Sequence, residues 1–225
     1  VHTQTLTVVD TTAPTAVAQN ITVQLDAIGN VSISTAQIDN GSTDNCGTLS
    51  FSLDVTSFYC SDVATSPNPV VLTVTDDCGN WSTANATVTV QDVTAPTAVA
   101  QNITIQLDSN GNATTTAAAM HNRSADSCGV ALSLSKTSFD CTDLGANTVT
   151  LTVTDPSNNQ TTTTATVTVE DNVDPVIAAQ NVTVTLDSSG NGTTTAAAVD
   201  NGSSDACGVA LSLSQTAFDC THVGN

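Results

Sequence analysis

Apolar and polar residues alternate along much of the chain in short runs. Residues 21–26, 70–76 and 85–91 read ITVQLD, VVLTVTD and NATVTVQ. Alternation over four to eight residues is typical of a half-buried β-strand, and β-branched Val, Ile and Thr favour strands because they suit a pleated surface. Gly, Asn and Asp separate the runs, as they do in turns. The pattern therefore predicts an all-β chain.

One pair of runs predicts a β-hairpin. ITVQLD at 21–26 and NVSIST at 30–35 flank Ala-Ile-Gly, and the later copies have SNG and SSG at the same place. Two alternating runs joined by a short turn with Gly and Asn are typical of a hairpin. The run TTTAAA at 114–119 and 193–198 is compatible with a helical turn, which is too short to change the fold class.

The chain consists of repeats. Segments that begin at Asp10, Asp92 and Asp171 align with one another at nearly equal spacing. Such periodicity indicates a tandem array. We expect complete repeats at 10–91 and 92–170, the last strand of a preceding repeat at 1–9, and an incomplete repeat at 171–225, all cut from a longer array. About seven short strands in a repeat of about 80 residues indicate a small antiparallel β-sandwich.

The charge of the chain is strongly one-sided. It has 21 acidic and 2 basic residues, Arg123 and Lys136, and a net charge of −19. A surface of this charge repels nucleic acid and anionic lipid. No run approaches the ~20 apolar residues that span a bilayer. We therefore expect no nucleic-acid partner and no direct membrane insertion. The three histidines occupy unrelated repeat positions, and no Ser/His/Asp set or nucleophile elbow recurs. We therefore expect a protein that is not an enzyme.

Six of the seven cysteines recur as one pair in each repeat, with almost the same separation every time. The predicted disulfides, each within one repeat, are Cys46/Cys60, Cys128/Cys141 and Cys207/Cys220. Buried free thiols and a zinc site are the alternatives, but no CxxC or CxxH motif is present. Disulfides indicate an oxidising, extracellular compartment. Cys78 corresponds to Ser157 in repeat two and is expected to be a free thiol or an intermolecular link.

Aspartates recur in loops that a sandwich would bring to one end of each repeat, beside the linker. Crowded carboxylates repel one another, whereas calcium, which takes six to eight oxygen ligands, would neutralise them. The predicted metal ligands, repeat by repeat, are Asp10, Asp44 and Asp76; Asp92, Asp126 and Asp155; and Asp171 and Asp205. We expect Ca²⁺ at each joint. The alternative is that these aspartates are ordinary turn residues.

Other acidic positions are secondary candidates. Asp39 and Asp200 could assist the same sites, although the equivalent residue in repeat two is His121. Asp26 and Asp108 could reach across from the preceding repeat. Their motif, Leu-Asp-x-x-Gly-Asn, is equally well explained by turn chemistry, as it is for the third copy at 186–191.

Four short motifs recur in a fixed order: Val-x-Asp-x-x-x-Pro at the joint, Asp-x-Cys-Gly, Phe-x-Cys and Val-Thr-Asp-x-x-Gly-Asn. This set resembles the hyalin-repeat and related immunoglobulin-like tandem repeats of bacterial extracellular surface proteins and adhesins. The resemblance implies tandem immunoglobulin-like antiparallel β-sandwich repeats of this length, used outside the cell in adhesion or as a stalk. Repeat two departs from the motifs at 121–123 and 156–158.

Together these features predict an extracellular structural protein, secreted or attached to the cell surface. Its repeats would form a rod, stiffened by calcium and disulfides, that acts as a filament, stalk or adhesin shaft. The expected partners are neighbouring repeats of the same or identical chains in a polymer, with other cell-surface proteins or glycans as further candidates. The alternative function is an adhesion module for surface glycans or cells, which would show one divergent repeat with exposed aromatic residues.

Overall fold

The computed structural model describes residues 2–224, which form short strands and a few single-turn helices. The predicted all-β fold class is confirmed. Contacts divide the chain into two compact units. The first comprises the residues up to Val99 with Arg123–Ser133 and Thr152–Thr162, and the second comprises Ala100–Asn122, Leu134–Leu151 and the residues from Thr163 onward. Val1 and Asn225, which belong to the predicted segments 1–9 and 171–225, lie outside the described residues.

Repeat one is an immunoglobulin-like sandwich of two sheets. Its elements are β1 (Ile21–Gln24), β2 (Asn30–Ser32), α1 (Thr35–Ile38), β3 (Ser50–Leu53), β4 (Ser57–Tyr59), α2 (Cys60–Ala64), β5 (Asn68–Thr75) and β6 (Trp81–Gln91). One sheet has the order β1-β6-β5-β3, and β2 pairs with β4 in the other. β1 runs parallel to β6, whereas the β3–β5, β5–β6 and β2–β4 pairs are antiparallel.

Repeat two has the same strand order, β7-β12-β11-β9, with β8 paired to β10. Its elements are β7 (Ile103–Gln106), β8 (Asn112–Thr114), α3 (Ala117–Met120), β9 (Ala131–Leu134), β10 (Ser138–Asp140), a 3₁₀ turn (Cys141–Asp143), β11 (Gly145–Thr154) and β12 (Gln160–Glu170). The third repeat contains β13 (Asn191–Thr193), α4 (Ala196–Val199), β14 (Ala217–Asp219) and a 3₁₀ turn (Cys220–His222). Short helices thus form at the TTTAAA runs, whereas residues 2–9 lie in no strand of the described chain.

The alternating pattern builds the core. In β5, Val70, Leu72 and Val74 are fully buried, and Val88 and Val90 of the paired strand β6 are also buried. The residues between them, Val71, Thr73 and Thr89, point to the other face. Each aliphatic side chain buried in this way contributes about 1.5–3 kcal/mol relative to an exposed one. The sandwich therefore depends mainly on the two long strands β5 and β6.

The predicted hairpin between residues 21–26 and 30–35 is wrong, because β1 and β2 lie in different sheets. The turn between them does form. The amides of Asp26 and Gly29 donate to the carbonyls of Asn30 and Asp26, and Gly29 has a φ of 78°, which a glycine adopts without strain. The turn therefore carries the chain from one sheet to the other instead of folding it back along the same sheet.

Strand β6 separates two ends of repeat one, which we call the entry end and the exit end. The turn at Asp76 leads into the first residue of β6 and marks the entry end. The last residue of β6 pairs with the last residue of β1, so the turn at 26–30 and the linker at Asp92 lie at the exit end. At about 3.3 Å per residue, the 11 residues of β6 separate the two ends by roughly 33 Å.

The predicted pairing of cysteines within each repeat is wrong. Disulfides join Cys60 to Cys128 and Cys141 to Cys207, with Cα–Cα distances of 5.2 and 5.1 Å. Each bond thus connects the second cysteine of one repeat to the first cysteine of the next. The pairs that do not form are Cys46/Cys60, Cys128/Cys141 and Cys207/Cys220; the free thiols, all exposed, are Cys46, Cys78 and Cys220.

The length of the strands explains this pairing. Cys46 follows Asp44, which lies beside Asp76 at the entry end. Cys60 follows β4, whose last residue pairs with Asn30 at the exit end. Two cysteines at opposite ends of a sandwich lie far beyond the Cα–Cα limit of about 7 Å for a disulfide. The observed bonds close loops of 68 and 66 residues, worth about 4 kcal/mol each in the chain-entropy account.

A protease that cleaves before aspartate tests the connectivity, because it places all seven cysteines on separate peptides. After alkylation of free thiols without reductant, we expect peptide 54–61 to be linked to 126–139 and peptide 140–142 to 205–218. Peptides 44–53, 77–91 and 219–225 should each carry one alkylated cysteine. Mass spectra that instead show 44–53 linked to 54–61 would contradict the disulfides between repeats.

Candidate metal centres

Three carboxylates meet at the entry end of repeat one, as the sequence predicted. Asp10, Asp44 and Asp76 each offer one oxygen, and these oxygens all lie within 4.8 Å of one another. Asp10 comes from the linker, Asp44 from the loop that precedes β3, and Asp76 from the turn between β5 and β6. At an effective dielectric constant of about 20, two unit charges at about 4 Å repel by about 4 kcal/mol. The cluster therefore favours a bound cation.

Asp10 and Asp44 each use one carboxylate oxygen in a turn and leave the other buried. Asp10 Oδ1 accepts from the Thr12 amide at 2.9 Å, and Asp44 Oδ2 accepts from the Cys46 amide at 3.1 Å. The remaining oxygens, Asp10 Oδ2 and Asp44 Oδ1, are buried and have no hydrogen-bond partner. A buried acceptor without a partner costs about 1–3 kcal/mol, and more when it is charged. These two oxygens are therefore free to bind a metal ion.

Asn80 is a residue of this site that sequence reasoning missed. Its side-chain amide donates to Asp76 Oδ2 at 2.7 Å and to the Asp10 carbonyl at 3.1 Å, which ties the β5–β6 turn to the linker. Asn159 makes the same two bonds in repeat two, to Asp155 Oδ2 and to the Asp92 carbonyl. The recurrence of Asn four residues after Val-Thr-Asp was the only sequence signal for this role.

The pKa of Asp76 reflects these contacts. Burial of the carboxylate acts to raise the pKa, but hydrogen bonds from the Asn80 side chain and from amides of the turn outweigh it. The pKa of Asp76 therefore lies below its ordinary value, and the carboxylate stays ionised in mildly acidic solution.

The joint after repeat one lies within the first unit and has a similar cluster. Asp92, Asp126 and Cys128 each offer an atom within 4.8 Å of the others. Asp92 is 7% exposed; its Oδ1 accepts from the Thr94 amide at 3.0 Å, and its Oδ2 is buried without a partner. Asp155, the third predicted ligand, does not join this group but reaches the linker through Asn159. Repeat two thus brings two of its three predicted carboxylates together.

The second unit holds the equivalent group of the third repeat, Asp171, Asp205 and Cys207. The carboxylates bind the amides two residues later, Val173 at 3.0 Å and Cys207 at 2.8 Å. Cys207 and its counterpart Cys128 are in disulfides, so their sulfurs are not thiolate ligands. The donors that remain are carboxylate and carbonyl oxygens, which suit a hard cation such as Ca²⁺ and not zinc.

The secondary acidic positions have turn roles. One Asp26 oxygen accepts from the amides of Ile28 and Asn30, and Asp108 and Asp187 make the equivalent bonds. Asp39 and Asp200 bind the serine three residues later, and this side-chain hydrogen bond lowers the pKa of each. None of these five aspartates belongs to a metal-compatible group of the described chain.

Cationic side chains do not neutralise the clusters. Lys136 pairs with Asp143, and the other ion pair found in residues 2–224 is His222 with Asp219. Neither pair includes a predicted metal ligand. Among the described helices, none is long and apolar enough to cross a membrane.

No family model and no curated protein matches the chain. Among solved structures, it is similar to human mucin-like protocadherin EC1-2, with TM-score 0.36 and 14% identity over 68% of this chain and 96% of that chain. It is also similar to Drosophila N-cadherin EC1-4, with TM-score 0.38 and 11% identity over 72% of this chain and 50% of that one. A titin I-band fragment, I67-I69, matches with TM-score 0.35 and 9% identity, over 69% of this chain and 64% of that chain. Likenesses at this level identify neither a family nor a function.

The link between Asn80 and Asp76 predicts a pH dependence. Asn80→Ala should raise the pKa of Asp76 towards its ordinary value, which NMR titration of the carboxyl would measure. A depressed carboxyl pKa stabilises the fold above the unfolded value of about 3.9 and loses this effect as the pH falls. The stability gap between wild type and Asn80→Ala should therefore narrow below about pH 4. Asn85→Ala, on an exposed position of β6, is the matched control and should show neither effect. An unchanged Asp76 pKa would contradict this role of Asn80.

Proposed function

We propose that this chain is part of an extracellular structural protein whose repeats form a shaft, filament or stalk stiffened by calcium and disulfides. The observation that carries the proposal is the set of buried, unpartnered carboxylate oxygens at the joints: Asp10 Oδ2, Asp44 Oδ1 and Asp92 Oδ2. A folded protein rarely leaves such atoms without a partner. Calcium supplies one, because it takes oxygen ligands in flexible geometry and completes its shell with water.

The proposed ligands at the first site are Asp10, Asp44 and Asp76, and the equivalent residues serve the later joints. In the equivalent sites these are Asp92 and Asp126, and Asp171 and Asp205, whereas Asp155 is held to the linker through Asn159. An ion there would hold the linker carboxylate against two loops of the same repeat. It would thereby fix the direction in which the chain enters each sandwich. Removal of the ion would restore the repulsion between carboxylates and loosen the joint.

The disulfides support an extracellular location. Such bonds persist in oxidising compartments and are rare in the cytosol. The bond between Cys60 and Cys128 fastens repeat one to the first cysteine of repeat two, so the linker at Asp92 is not the only covalent connection there. A protein whose joints are fastened in this way suits a load-bearing role. The resemblance to hyalin repeats of bacterial surface proteins agrees with such a role. We propose no catalytic activity.

Calcium should stabilise the protein by RT ln(1 + [Ca²⁺]/Kd), which is about 2.7 kcal/mol at a hundredfold excess over Kd. Asp92→Asn tests one joint, because asparagine can keep the bond from the Thr94 amide while it removes the charge. We expect the variant to bind calcium more weakly and to gain less thermal stability from it. Without calcium it should be at least as stable as wild type, since repulsion is relieved. Calorimetric titration and melting curves would measure both effects.

Asp187→Asn is the control for this experiment. The Asp187 carboxylate accepts the amides of Ser189 and Asn191 in its turn and belongs to no acidic group of the described chain. Its calcium response should equal that of wild type. Identical melting curves and X-ray scattering in calcium and in chelator would overturn the metal proposal and leave these aspartates as turn residues.

A second candidate function is adhesion to glycans or cells through repeat one. Among the described residues, only repeat one has exposed aromatic rings: Phe51, Tyr59 and Trp81 are exposed by 37, 53 and 63%. Trp81 corresponds to Gln160 in repeat two. Exposed aromatic side chains are common anchors at binding surfaces.

The strand register argues against one continuous aromatic platform. Phe51 lies opposite Val74, and Trp81 lies opposite Thr75. Val74 and Thr75 are successive residues of β5 and face opposite sides of the sheet, so the two rings do too. Phe51 and Trp81 therefore do not form one platform.

Glycan-array and cell-binding assays separate the two functions. A glycan-binding module should lose binding on Trp81→Ala and keep it on Gln160→Ala, the equivalent position in repeat two. The shaft proposal expects no saturable glycan binding by wild type. Saturable binding that depends on Trp81 would favour the adhesion module.

A further inference from the structure

The third repeat presents Cys220 in the setting that the two disulfide-bonded equivalents occupy. Cys60 Sγ lies 3.8 Å from the carbonyl oxygen of Gly29, and Cys141 Sγ lies 3.9 Å from that of Gly111. Cys220 Sγ lies 3.9 Å from the carbonyl oxygen of Gly190, yet it is a free, exposed thiol. At this position Cys60 and Cys141 are thus bonded to the following repeat, and Cys220 is a free thiol in the described chain.

The glycine beside each of these cysteines receives the turn of the following repeat. A Cβ placed on Gly29 would lie 3.3 Å from Ser127 Cβ, and one on Gly111 would lie 3.1 Å from Ala206 Cβ. Ser127 and Ala206 occupy the second position, x, of the Asp-x-Cys-Gly turns. A Cβ on Gly190 would meet only Cys220 Sγ, at 2.8 Å. The seat for an Asp-x-Cys-Gly turn is therefore formed at Gly190 and open.

Repeat one presents the matching turn at 44–47. The Cys46 amide donates to Asp44 at 3.1 Å, just as the Cys128 and Cys207 amides donate to the preceding aspartates at 2.8 Å. Both of those cysteines are in disulfides with a preceding repeat. Cys46 is free and exposed.

We propose that the open seat at Gly190 receives the Asp-x-Cys-Gly turn of another repeat and that Cys220 forms a disulfide with the cysteine of that turn. Between two copies of residues 1–225, the turn is 44–47 and the cysteine is Cys46. The oxidant is a low-molecular-weight disulfide. One protein thiolate attacks it, forms a mixed disulfide and releases one small thiol. The other protein thiolate then attacks the protein sulfur and releases the second small thiol. Two protein thiols are oxidised, and one small disulfide is reduced to two thiols, which take up the two protons.

Cys78 takes no part in this link. It lies in the turn after β5 and corresponds to Ser157 in repeat two, so no equivalent of it is bonded. The proposal extends the proposed shaft but needs no metal. Because the assay below runs in chelator, its failure would leave the calcium sites untouched, and failure of calcium binding would leave this link untouched.

Two variants of the full chain test the link. The tail variant, Cys46→Ser with Cys78→Ser, keeps Cys220; the head variant, Cys78→Ser with Cys220→Ser, keeps Cys46. In a glutathione redox buffer with chelator, we expect a disulfide-linked heterodimer when the two are mixed and monomer when either is alone. Cleavage before aspartate without reductant should yield peptide 44–53 linked to 219–225, and the wild-type chain should form a series of longer oligomers.

A glycine pair controls for the seat. Gly190 and Gly202 both have positive φ, 79° and 92°, so alanine strains either backbone. A Cβ on Gly202 meets nothing within 4 Å. In the tail variant, Gly190→Ala should abolish the heterodimer and Gly202→Ala should keep it, with melting curves to verify folding. The proposal is overturned if the mixture stays monomeric, if each variant alone dimerises as readily as the mixture, or if wild type closes on itself as a monomer without free Cys46 and Cys220.

Discussion

The parallel pairing of β1 with β6 is the constraint on which the joint in the first unit depends. Because β1 runs beside the closing strand, the turn after β1 and the linker after β6 emerge at the same end, and the Leu25 amide donates to the Gln91 carbonyl there. The second cysteine of the repeat lies at this end as well. A following repeat that starts at Asp92 must therefore bring its Asp-x-Cys-Gly turn, residues 126–129, to this end. The same parallel pairing recurs between β7 and β12.

Turn residue and metal ligand are not competing roles for the joint aspartates. In Asp10, Asp44 and Asp92, one carboxylate oxygen accepts a hydrogen bond from an amide of the turn, and the other is buried without a partner. The turn thus fixes the carboxylate in the orientation that a metal site needs. Asp26 differs, since its bonded oxygen holds two amides and the residue is exposed. The distinction lies in burial of the second oxygen, which no local motif encodes.

The sequence predicted those features that follow from strand period and strand count. Alternation predicted β5 and β6, and counting strands brought Asp10, Asp44 and Asp76 to one end. Prediction from sequence failed where one sequence motif is compatible with two arrangements of the strands. The turn at 26–30 has the same residues whether the chain returns to its own sheet or crosses to the other.

The predicted disulfide pairing was wrong for a similar reason. Their spacing is regular within a repeat, as from Cys46 to Cys60, and it is equally regular from one repeat to the next, as from Cys60 to Cys128. The choice between these two pairings depends on the end of the sandwich at which each cysteine lies, which only the path of β3 and β4 decides.

The observed disulfides have a mechanical consequence. Through the disulfides, the shortest covalent path crosses repeat two from Cys128 to Cys141, a stretch that spans at most about 45 Å when extended. The long strands β5, β6, β11 and β12 lie in the chain segments that the disulfides close, outside this path. Tension along such a series of disulfides would therefore bypass these long strands and act on the short strands β9 and β10. Covalent bonds would limit the extension of a repeat to about 45 Å, against a folded span of roughly 33 Å.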